Sequence, residues 1–358
     1  MTQTQTNPAL AKAEALDSEG KHDDAINTLA LATQAGDLAA KTILGKRMLV
    51  GDRSPYLPTD GARFILEAAQ AGNPEAACMV AVFQTIGLFQ PKNLQSAIQT
   101  LGFAAAQGSR IAREQLILLA GTGEPAMDPT LLENNDPAHW MHLPVQIDLD
   151  QWLHIDTEQP VNNDPLLKSF PGLIPLPVCR WLIRLSNERL HPAMVYDANN
   201  RRNYRSQTRT NSIAEFNLVE NEMLHFLLQE KMSAACGIPM NQFEGTAILN
   251  YQPGEQISNH YDFVSPDLPN YEQEIRDNGQ RVLTFLIYLN DDYEGGETVF
   301  PELDIAHKGM AGEGFFFSNA LPDGSSDLRT LHAGAPTRTG QKWIVSQFIR
   351  NREVKYIL

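Results

Sequence analysis

The chain is poor in cysteine, and its three cysteines, Cys78, Cys179 and Cys236, are widely separated. It has no CxxC pair or Cys/His cluster, so the sequence indicates neither a disulfide framework nor a structural zinc site. It also lacks the apolar run of roughly 18 residues that a membrane span needs. The amino terminus, MTQTQTNPAL, has no basic stretch before an apolar core. We therefore predict no signal peptide, no membrane partner and a cytoplasmic location.

Positive charge is also scarce, since 28 Lys and Arg stand against 43 Asp and Glu, a net charge of −15. Because binding to a phosphate backbone relies on a cationic face, we expect no nucleic-acid partner. The hydrophobic content of 42% and the charged content of 20% are ordinary for a globular protein. A length of 358 residues suggests two or three domains.

Small residues recur with a period of 36 up to residue 123. The columns are Gly36, Gly72 and Gly108; Ala32, Ala68 and Ala104; Ala40, Ala76 and Ala112; and Gly51, Gly87 and Gly123. The pattern predicts helices that end at a left-handed glycine, each followed by a helix with Asp37, Asn73 or Ser109 as its N-cap. Stacked helix pairs of this kind form solenoids. The spacing resembles Sel1-like repeats, relatives of the tetratricopeptide repeat, although an ordinary helical bundle is the alternative.

We therefore divide the chain into a helical repeat domain at 1–123, an irregular linker at 124–165 and a second domain at 166–358. The second domain begins with apolar residues at helical spacing, which predict helices at 173–190 and 213–232. Short β-branched and aromatic runs, separated by Gly, Pro, Asn and Asp, follow to the end of the chain. Such strands after helices predict a double-sheet jelly roll with buttressing helices.

A His-x-Asp pair, His260 and Asp262, lies in one of these predicted strands. The two-residue period of a strand places both side chains on one face. With one more histidine far downstream, this is the pattern of the two-histidine, one-carboxylate triad, which holds Fe(II) and leaves positions open for oxygen and a co-substrate. The strand context favours His332 over His307 as the third ligand. The alternative interpretation is a structural zinc site. Such a site needs four protein ligands, and the sequence offers no fourth one.

Lys342 follows His332 by ten residues, across the turn TRTG. The turn would bring it back along a neighbouring strand. A cation inside a barrel is costly unless it is paired, so a buried Lys342 would need an anion. A dicarboxylate that chelates the metal with its other end would supply one.

The second domain resembles the prolyl 4-hydroxylase α-subunit family of 2-oxoglutarate oxygenases, and about 180 residues carry the resemblance. The matching stretches are RTNS (209–212), LNYQPGEQISNHYDF (249–263), RVLTFLIYLNDDYEGGETVFPEL (281–303), GEGFFFSNALPDGSSD (312–327) and LHAGAPTRTGQKWIVSQFIR (331–350). One departure is visible, because Phe348 stands where the family often has a second tryptophan.

The resemblance implies iron at His260, Asp262 and His332, and the 5-carboxylate of 2-oxoglutarate at Lys342. It also implies that Tyr251 and Thr284 line the 2-oxoglutarate pocket. Fe(II), 2-oxoglutarate, O2 and, as reductant, L-ascorbate are the cofactors and co-substrates that it implies. The residues that we expect to face the substrate are Arg209, at the end of an arginine-rich loop (197–209), and Trp343.

Three functions remain open. The first is hydroxylation of a protein or peptide residue, with prolyl 4-hydroxylation the first guess and with release of succinate and CO2. The repeats would then grip the peptide, as a helical module does in collagen-modifying members of the family. The second is hydroxylation of a free amino acid or another small molecule, with the repeats used for oligomerisation. The third is a non-catalytic scaffold with a relic oxygenase domain.

Overall fold

The computed structural model describes residues 7–197, 202–204, 206–321 and 323–354. The chain forms two compact units. The helical unit contains the residues up to Trp152 together with Asn217–Leu228. The β-rich unit contains Leu153–Phe216 and the chain from Gln229 onward. Nowhere in the described ranges is a helix both long and apolar enough to cross a membrane.

Helices follow one another closely along the first part of the chain and occur singly after it. They are α1 (Pro8–Ser18), α2 (His22–Gln34), α3 (Leu38–Val50), α4 (Pro58–Gln70), α5 (Pro74–Ile86), α6 (Leu94–Ala106), α7 (Arg110–Ala120), α8 (Pro137–His142), α9 (Leu149–Leu153), α10 (Leu176–Asn187), α11 (Met223–Cys236) and α12 (Tyr271–Asn278).

The helix ends of the repeat follow the predicted chemistry. The side chains of Asp37, Asn73 and Ser109 accept hydrogen bonds from backbone amides in the first turns of α3, α5 and α7. These bonds satisfy amides that have no partner within the helix. Each cap follows a glycine of the first column, and these glycines have φ of +91°, +96° and +97°. The predicted caps and left-handed glycines are confirmed.

Glycine lets α3 and α4 approach closely at one point. A Cβ added at Gly61 would lie 2.6 Å from the carbonyl oxygen of Gly45. No side chain fits between these backbones, and the closeness allows the buried Ile65 to pack in the same core as Leu49 and Phe83. Alanine columns alone would not permit this separation. The stacked helices thus bury apolar clusters between neighbouring helices, as expected of a solenoid.

Short strands dominate the β-rich unit. They are β1 (Gln159–Asn163), β2 (Leu166–Phe170), β3 (His191–Pro192), β4 (Val195–Asp197), β5 (Arg202–Tyr204), β6 (Ser212–Glu215), β7 (Ala247–Tyr251), β8 (Ile257–His260), β9 (Arg281–Tyr288), β10 (Glu294–Gly295), β11 (Thr298–Phe300), β12 (Ile305–His307), β13 (Gly314–Ser318), β14 (His332–Gly334), β15 (Thr337–Thr339) and β16 (Lys342–Arg350).

Two sheets carry the site. The larger has eight strands in the order β1-β2-β13-β9-β16-β7-β6-β3, and the smaller has the order β12-β11-β14-β8. Strand β16 lies at the centre of the larger sheet, where Lys342 pairs with Tyr251 on β7 and Ile344 pairs with Tyr288 on β9. Aromatic residues from both sheets, including Phe300 and Phe317, form the buried core. This double-sheet architecture agrees with the predicted jelly roll.

Two boundaries differ from the sequence-based expectations. Residues 213–222 do not continue the predicted helix, because Ser212–Glu215 pairs with β7 and α11 begins only at Met223. The segment 124–165 is not wholly irregular, since it contains α8, α9 and two 3-10 helices. Trp140 on α8 is fully buried and Arg113 of α7 stacks on its ring, so this part of the segment belongs to the helical unit.

Candidate active site

The smaller sheet brings the two histidines together. His260 ends β8 and His332 begins β14, and the two residues are direct partners across the antiparallel pair. Asp262 follows two residues after His260. The ligand atoms of His260, Asp262 and His332 all lie within 4.8 Å of one another, the one His/Cys/Asp/Glu cluster of metal-binding geometry among the described residues. Residues 72 positions apart in the sequence thus share one point because their strands are neighbours.

Backbone carbonyls orient both imidazole rings. Nδ1 of His260 donates to the carbonyl of Ser258 at 2.9 Å, and Nδ1 of His332 donates to that of Thr330 at 3.0 Å. A carbonyl only accepts, so each ring has its proton on Nδ1 and its lone pair on Nε2. The Nε2 atoms lie 3.3 and 3.4 Å from the two oxygens of Asp262. Metal-binding histidines typically donate a hydrogen bond from the ring nitrogen that does not bind the metal, and this bond fixes the tautomer and the ring plane.

Asp262 is held as a carboxylate. Burial by itself would raise its pKa, but His332 and His260, when their rings carry a positive charge, hold the pKa well below its ordinary value. The acid is buried, as is His332, while His260 is partly accessible. Two neutral nitrogen donors and one anionic oxygen donor on one side of an open space fit a divalent iron ion.

Thr284 supports this carboxylate. Its hydroxyl donates to Oδ2 of Asp262 at 2.7 Å and accepts from Nδ2 of Asn319 at 2.9 Å. All three side chains are buried. Thr284 is not among the residues that line the adjacent cavity, so the structure gives its hydroxyl a different partner from the predicted 2-oxoglutarate. This bond gives Thr284 a role in orienting the metal ligand, and its place in the 2-oxoglutarate pocket stays a prediction.

We expect the substitution Thr284→Val to weaken Fe(II) binding by about 10–100-fold, because it removes a hydrogen bond that orients a metal ligand. Equilibrium titration with Fe(II) under anaerobic conditions would measure the change. Thr339→Val is the matched control, since Thr339 is an exposed strand threonine. Equal Fe(II) affinities for the two variants would contradict the orienting role.

A cavity of about 400 Å³ opens beside the triad and ends at Lys342. Lys342 is only 3% exposed, and its Nζ donates to the carbonyl of Gly296 at 2.7 Å. The rings of Tyr251 and Tyr288 lie 5.3 and 5.5 Å from the same Nζ. No carboxylate of the described ranges is within ion-pair distance of it. An anion is therefore the missing partner, and the 5-carboxylate of 2-oxoglutarate fits this position.

Thr298 was missed by the sequence analysis. It is buried on β11, lines the same cavity as Lys342 and shares a hydrogen bond of 2.9 Å with the Tyr288 hydroxyl. Its hydroxyl is thus available near the expected 5-carboxylate. The only sequence signal is a strand threonine two residues after Gly296, and the sequence does not reveal that β11 faces β16.

The affinity for 2-oxoglutarate should fall above pH 8. Burial lowers the pKa of Lys342 to about 8. A bound carboxylate favours the charged ammonium and raises this pKa. Binding is therefore constant below the pKa of the free enzyme and weakens by up to about tenfold per pH unit above it, until the pKa of the complex is reached.

Calorimetric titration with 2-oxoglutarate, with Fe(II) bound and oxygen excluded, would measure this pH dependence. Lys342→Arg provides the control, because a guanidinium stays charged throughout the range and its affinity should not follow the same curve. A wild-type affinity that stays constant above pH 8 would count against a buried ammonium as the anchor.

The two residues predicted to face the substrate differ in position. Arg209 lines the cavity and donates from Nε to Oδ1 of Asn211 at 3.3 Å. Trp343 does not line it: Lys342 and Ile344 point into the cavity, and the two-residue period puts Trp343 on the opposite face of β16, where it is buried. The cavity wall therefore does not include Trp343, and its substrate-facing role stays a prediction. Residues 198–201 and 205 of the arginine-rich loop before Arg209 lie outside the described residues.

The other end of the cavity is lined by Phe348 and Arg281. The Arg281 guanidinium lies 3.9 Å from the centre of the Phe348 ring and donates to both carboxylate oxygens of Glu244 at 2.7 and 2.8 Å. Arg350 donates to the same carboxylate at 2.6 Å. The phenyl ring of Phe348, where the family often has tryptophan, is therefore covered by a guanidinium that Glu244 holds in place.

Comparisons with known proteins agree with this geometry. Residues 246–350 match the 2OG-Fe(II) oxygenase superfamily. Probable prolyl 4-hydroxylase 10 of Arabidopsis thaliana is 27% identical over 225 residues, covering 58% of this chain and 74% of that protein.

Two solved structures are similar to parts of the chain. The viral collagen prolyl hydroxylase of Paramecium Bursaria Chlorella virus-1, in a 2OG complex, has 26% identity and a TM-score of 0.40, covering 51% of this chain and 94% of that one. A Sel1 repeat protein from Oxalobacter formigenes has 20% identity and a TM-score of 0.29, covering 41% and 61%.

The protein therefore has an N-terminal helical-repeat region followed by a β-sheet-rich 2OG-Fe(II) oxygenase domain. Within that superfamily it is distantly related to prolyl 4-hydroxylases, at low sequence identity. Fe(II) and 2-oxoglutarate are the cofactor and co-substrate that the family implies, and His260, Asp262 and His332 are the candidate facial triad.

Proposed function

We propose that the protein hydroxylates a C–H bond of a peptide or protein residue, with a prolyl residue as the preferred substrate. The observation that carries the proposal is a single cavity with the triad beside it, a buried unpaired cation at one end and an aromatic wall at the other. The similarity to prolyl 4-hydroxylases supports the choice of substrate. Fe(II) and 2-oxoglutarate, when bound, would activate O2 and release succinate and CO2, with L-ascorbate as reductant.

Residues at different positions along the cavity would have different roles. Lys342 would neutralise the 5-carboxylate, and the hydroxyls of Tyr251 and Thr298 stand at the same end to hydrogen-bond it. Apolar side chains, Leu286 and Ile344, line the wall and keep water from the co-substrate. Excluding water in this way protects reactive chemistry from side reactions.

At the open end, Arg209 and Tyr261 border the cavity beside the triad. Phe348 offers an apolar surface that suits the ring of a prolyl residue, and Arg281 holds that surface in place. We propose that a peptide enters here, that the helical repeats grip its remainder and that the enzyme acts in the cytoplasm, with no nucleic acid or membrane as partner.

The test is incubation of the full chain with Fe(II), L-ascorbate, 2-oxoglutarate and a panel of proline-rich peptides. We expect peptide-stimulated succinate release and a peptide mass increased by one oxygen atom, both absent with His332→Ala. Fragmentation would place the oxygen on a prolyl residue. Stimulation by a free amino acid, with none by any peptide, would instead support the small-molecule alternative.

A further inference from the structure

A second cavity, of about 240 Å³, lies wholly within the helical unit. Its walls come from α3, α5 and α7, which are the second helices of three successive helix pairs, and from the residues just before α11. Lys46 lies on α3; Glu75, Cys78 and Met79 lie on α5; Ile111 lies on α7; and Glu222 precedes α11. None of these residues takes part in the oxygenase chemistry described above.

An ion pair marks the mouth of this cavity. Nζ of Lys46 lies 2.7 Å from Oε1 of Glu75, and the two side chains are 20% and 51% exposed. Deeper inside, Cys78 and Met79 are buried. Because Lys46 is already paired with Glu75, it can compensate the charge of a further carboxylate only in part.

Glu222 supplies that further carboxylate. The one side-chain donor to its carboxylate within the described ranges is Nε2 of Gln115, at 3.0 Å from Oε2. Gln115 is completely buried, and its own Oε1 accepts from the backbone amide of Leu224 at 3.0 Å. The amide is thus fixed at both ends and orients the carboxylate, but it contributes no charge.

The raised pKa of Glu222 agrees with a carboxylate whose charge is only partly compensated. Burial raises its pKa to about 7; Lys46 and Gln115 act to lower it, whereas Glu75 and Glu114 act to raise it. A mostly buried carboxylate that lacks a cation is costly, and a ligand bearing one would relieve the cost.

We propose that this cavity binds the side chain of a lysine residue in a peptide or protein segment. The ammonium would meet Glu222, and the methylene stem would lie along Met79 and Ile111, which give the cavity apolar walls. The volume is below the roughly 300–1,000 Å³ of sites for drug-sized ligands, and so suits a single side chain. This inference does not rest on the proposed hydroxylase function, because it concerns binding alone.

The test uses the full chain labelled with ¹³C at its methionine methyl groups, with the Met79 resonance assigned from Met79→Leu. Nα-acetyl-lysine methylamide is the probe, at a pH above the pKa of Glu222. Its norleucine counterpart has the same stem without the ammonium. We expect the Met79 resonance to shift saturably with the lysine probe and not with the norleucine one. Equal shifts with both would overturn the proposal, as would none with the lysine probe.

Two charge variants should change the affinity in opposite directions. Glu222→Gln keeps the shape of the side chain and should weaken binding about tenfold or more, because it removes a charge-assisted hydrogen bond. Lys46→Met should tighten binding, because it leaves Glu75 without its cation. Glu133→Gln, at an exposed position outside the cavity, should change nothing. Unchanged affinity in both Glu222→Gln and Lys46→Met would contradict the proposal.

n-Butylamine distinguishes a free amine from a lysine residue. Binding of the lysine derivative supports the proposal, whereas binding of n-butylamine alone would mean that the cavity excludes a peptide-borne side chain and would overturn it. Thermal unfolding of each variant confirms that a lost signal comes from lost binding rather than from lost structure.

Discussion

Replacing Asp262 with alanine should lower the rate of 2-oxoglutarate turnover by about a thousandfold or more, because a bound metal ion contributes several kcal/mol to catalysis. Asp262 is the only anionic donor of the triad, and it lies 3.3 and 3.4 Å from the Nε2 atoms of the two histidines. Without it, two neutral imidazoles remain to hold Fe(II). We therefore expect metal content and succinate formation to fall together.

Metal analysis of the purified variant and succinate assays would measure both effects. His307→Gln is the informative control, because His307 is the other downstream histidine considered as third ligand. In the structure its Nε2 pairs with Glu313 at 2.9 Å and its ring stacks on Phe315, so it should not contribute to iron binding. His332→Ala should behave as Asp262→Ala does. Loss of iron in His307→Gln with retention in His332→Ala would reverse the ligand assignment.

The second large effect is expected for Lys342→Met. Removing one partner of a buried charge pair costs about 2–5 kcal/mol, so the KM for 2-oxoglutarate should rise by about two orders of magnitude or more. The kcat at saturating 2-oxoglutarate should fall less, since the triad is unchanged. Steady-state kinetics with 2-oxoglutarate as the varied substrate separates the two constants.

The same variant should be more stable than the wild type when 2-oxoglutarate is absent. The pKa of Lys342 is lowered to about 8 in the folded chain, so the charged form opposes folding fully below that pH. Methionine has a similar length and no charge, so at neutral pH it should raise the free energy of unfolding by up to about 3 kcal/mol, less what the bond to Gly296 contributes.

Thermal unfolding with and without 2-oxoglutarate checks both signs. The ligand should raise the Tm of the wild type and leave that of Lys342→Met nearly unchanged, because a ligand stabilises only the state that binds it. Lys168→Met is the matched control, since Lys168 lies on β2 and pairs with Glu158 at the surface. A ligand-induced Tm shift of equal size in Lys342→Met and wild type would exclude Lys342 as the anchor.

Local patterns predicted a large part of this molecule. The His-x-Asp spacing was enough to predict that His260 and Asp262 act together, although β8 ends at His260 and Asp262 lies just beyond the strand. The column Gly36, Gly72 and Gly108 predicted where α2, α4 and α6 end, and Asp37, Asn73 and Ser109 predicted where the next helices start, because capping depends on residues close in sequence. The prediction for 213–222 failed because apolar residues at helical spacing were overridden by pairing of Ser212–Glu215 with β7.

The sequence did not predict the surroundings of side chains that depend on which strands lie next to or opposite one another. Thr284 bonds to Asp262, 22 residues away, and Trp343 lies on the face of β16 opposite the cavity. Thr298 meets Tyr288 only because β11 belongs to the sheet that faces β9. The family resemblance supplied residue types for this site but not the orientation of each side chain.

Helix caps, strand faces and the His-x-Asp pair of the metal site can be predicted from sequence alone, because each depends on spacing along a few neighbouring positions. The packing of the folded chain buries Lys342 away from every carboxylate of the described ranges, and it brings Gln115 to Glu222 across 107 positions of the chain. Burial and long-range hydrogen bonds come from packing between distant elements, and no local pattern encodes that packing.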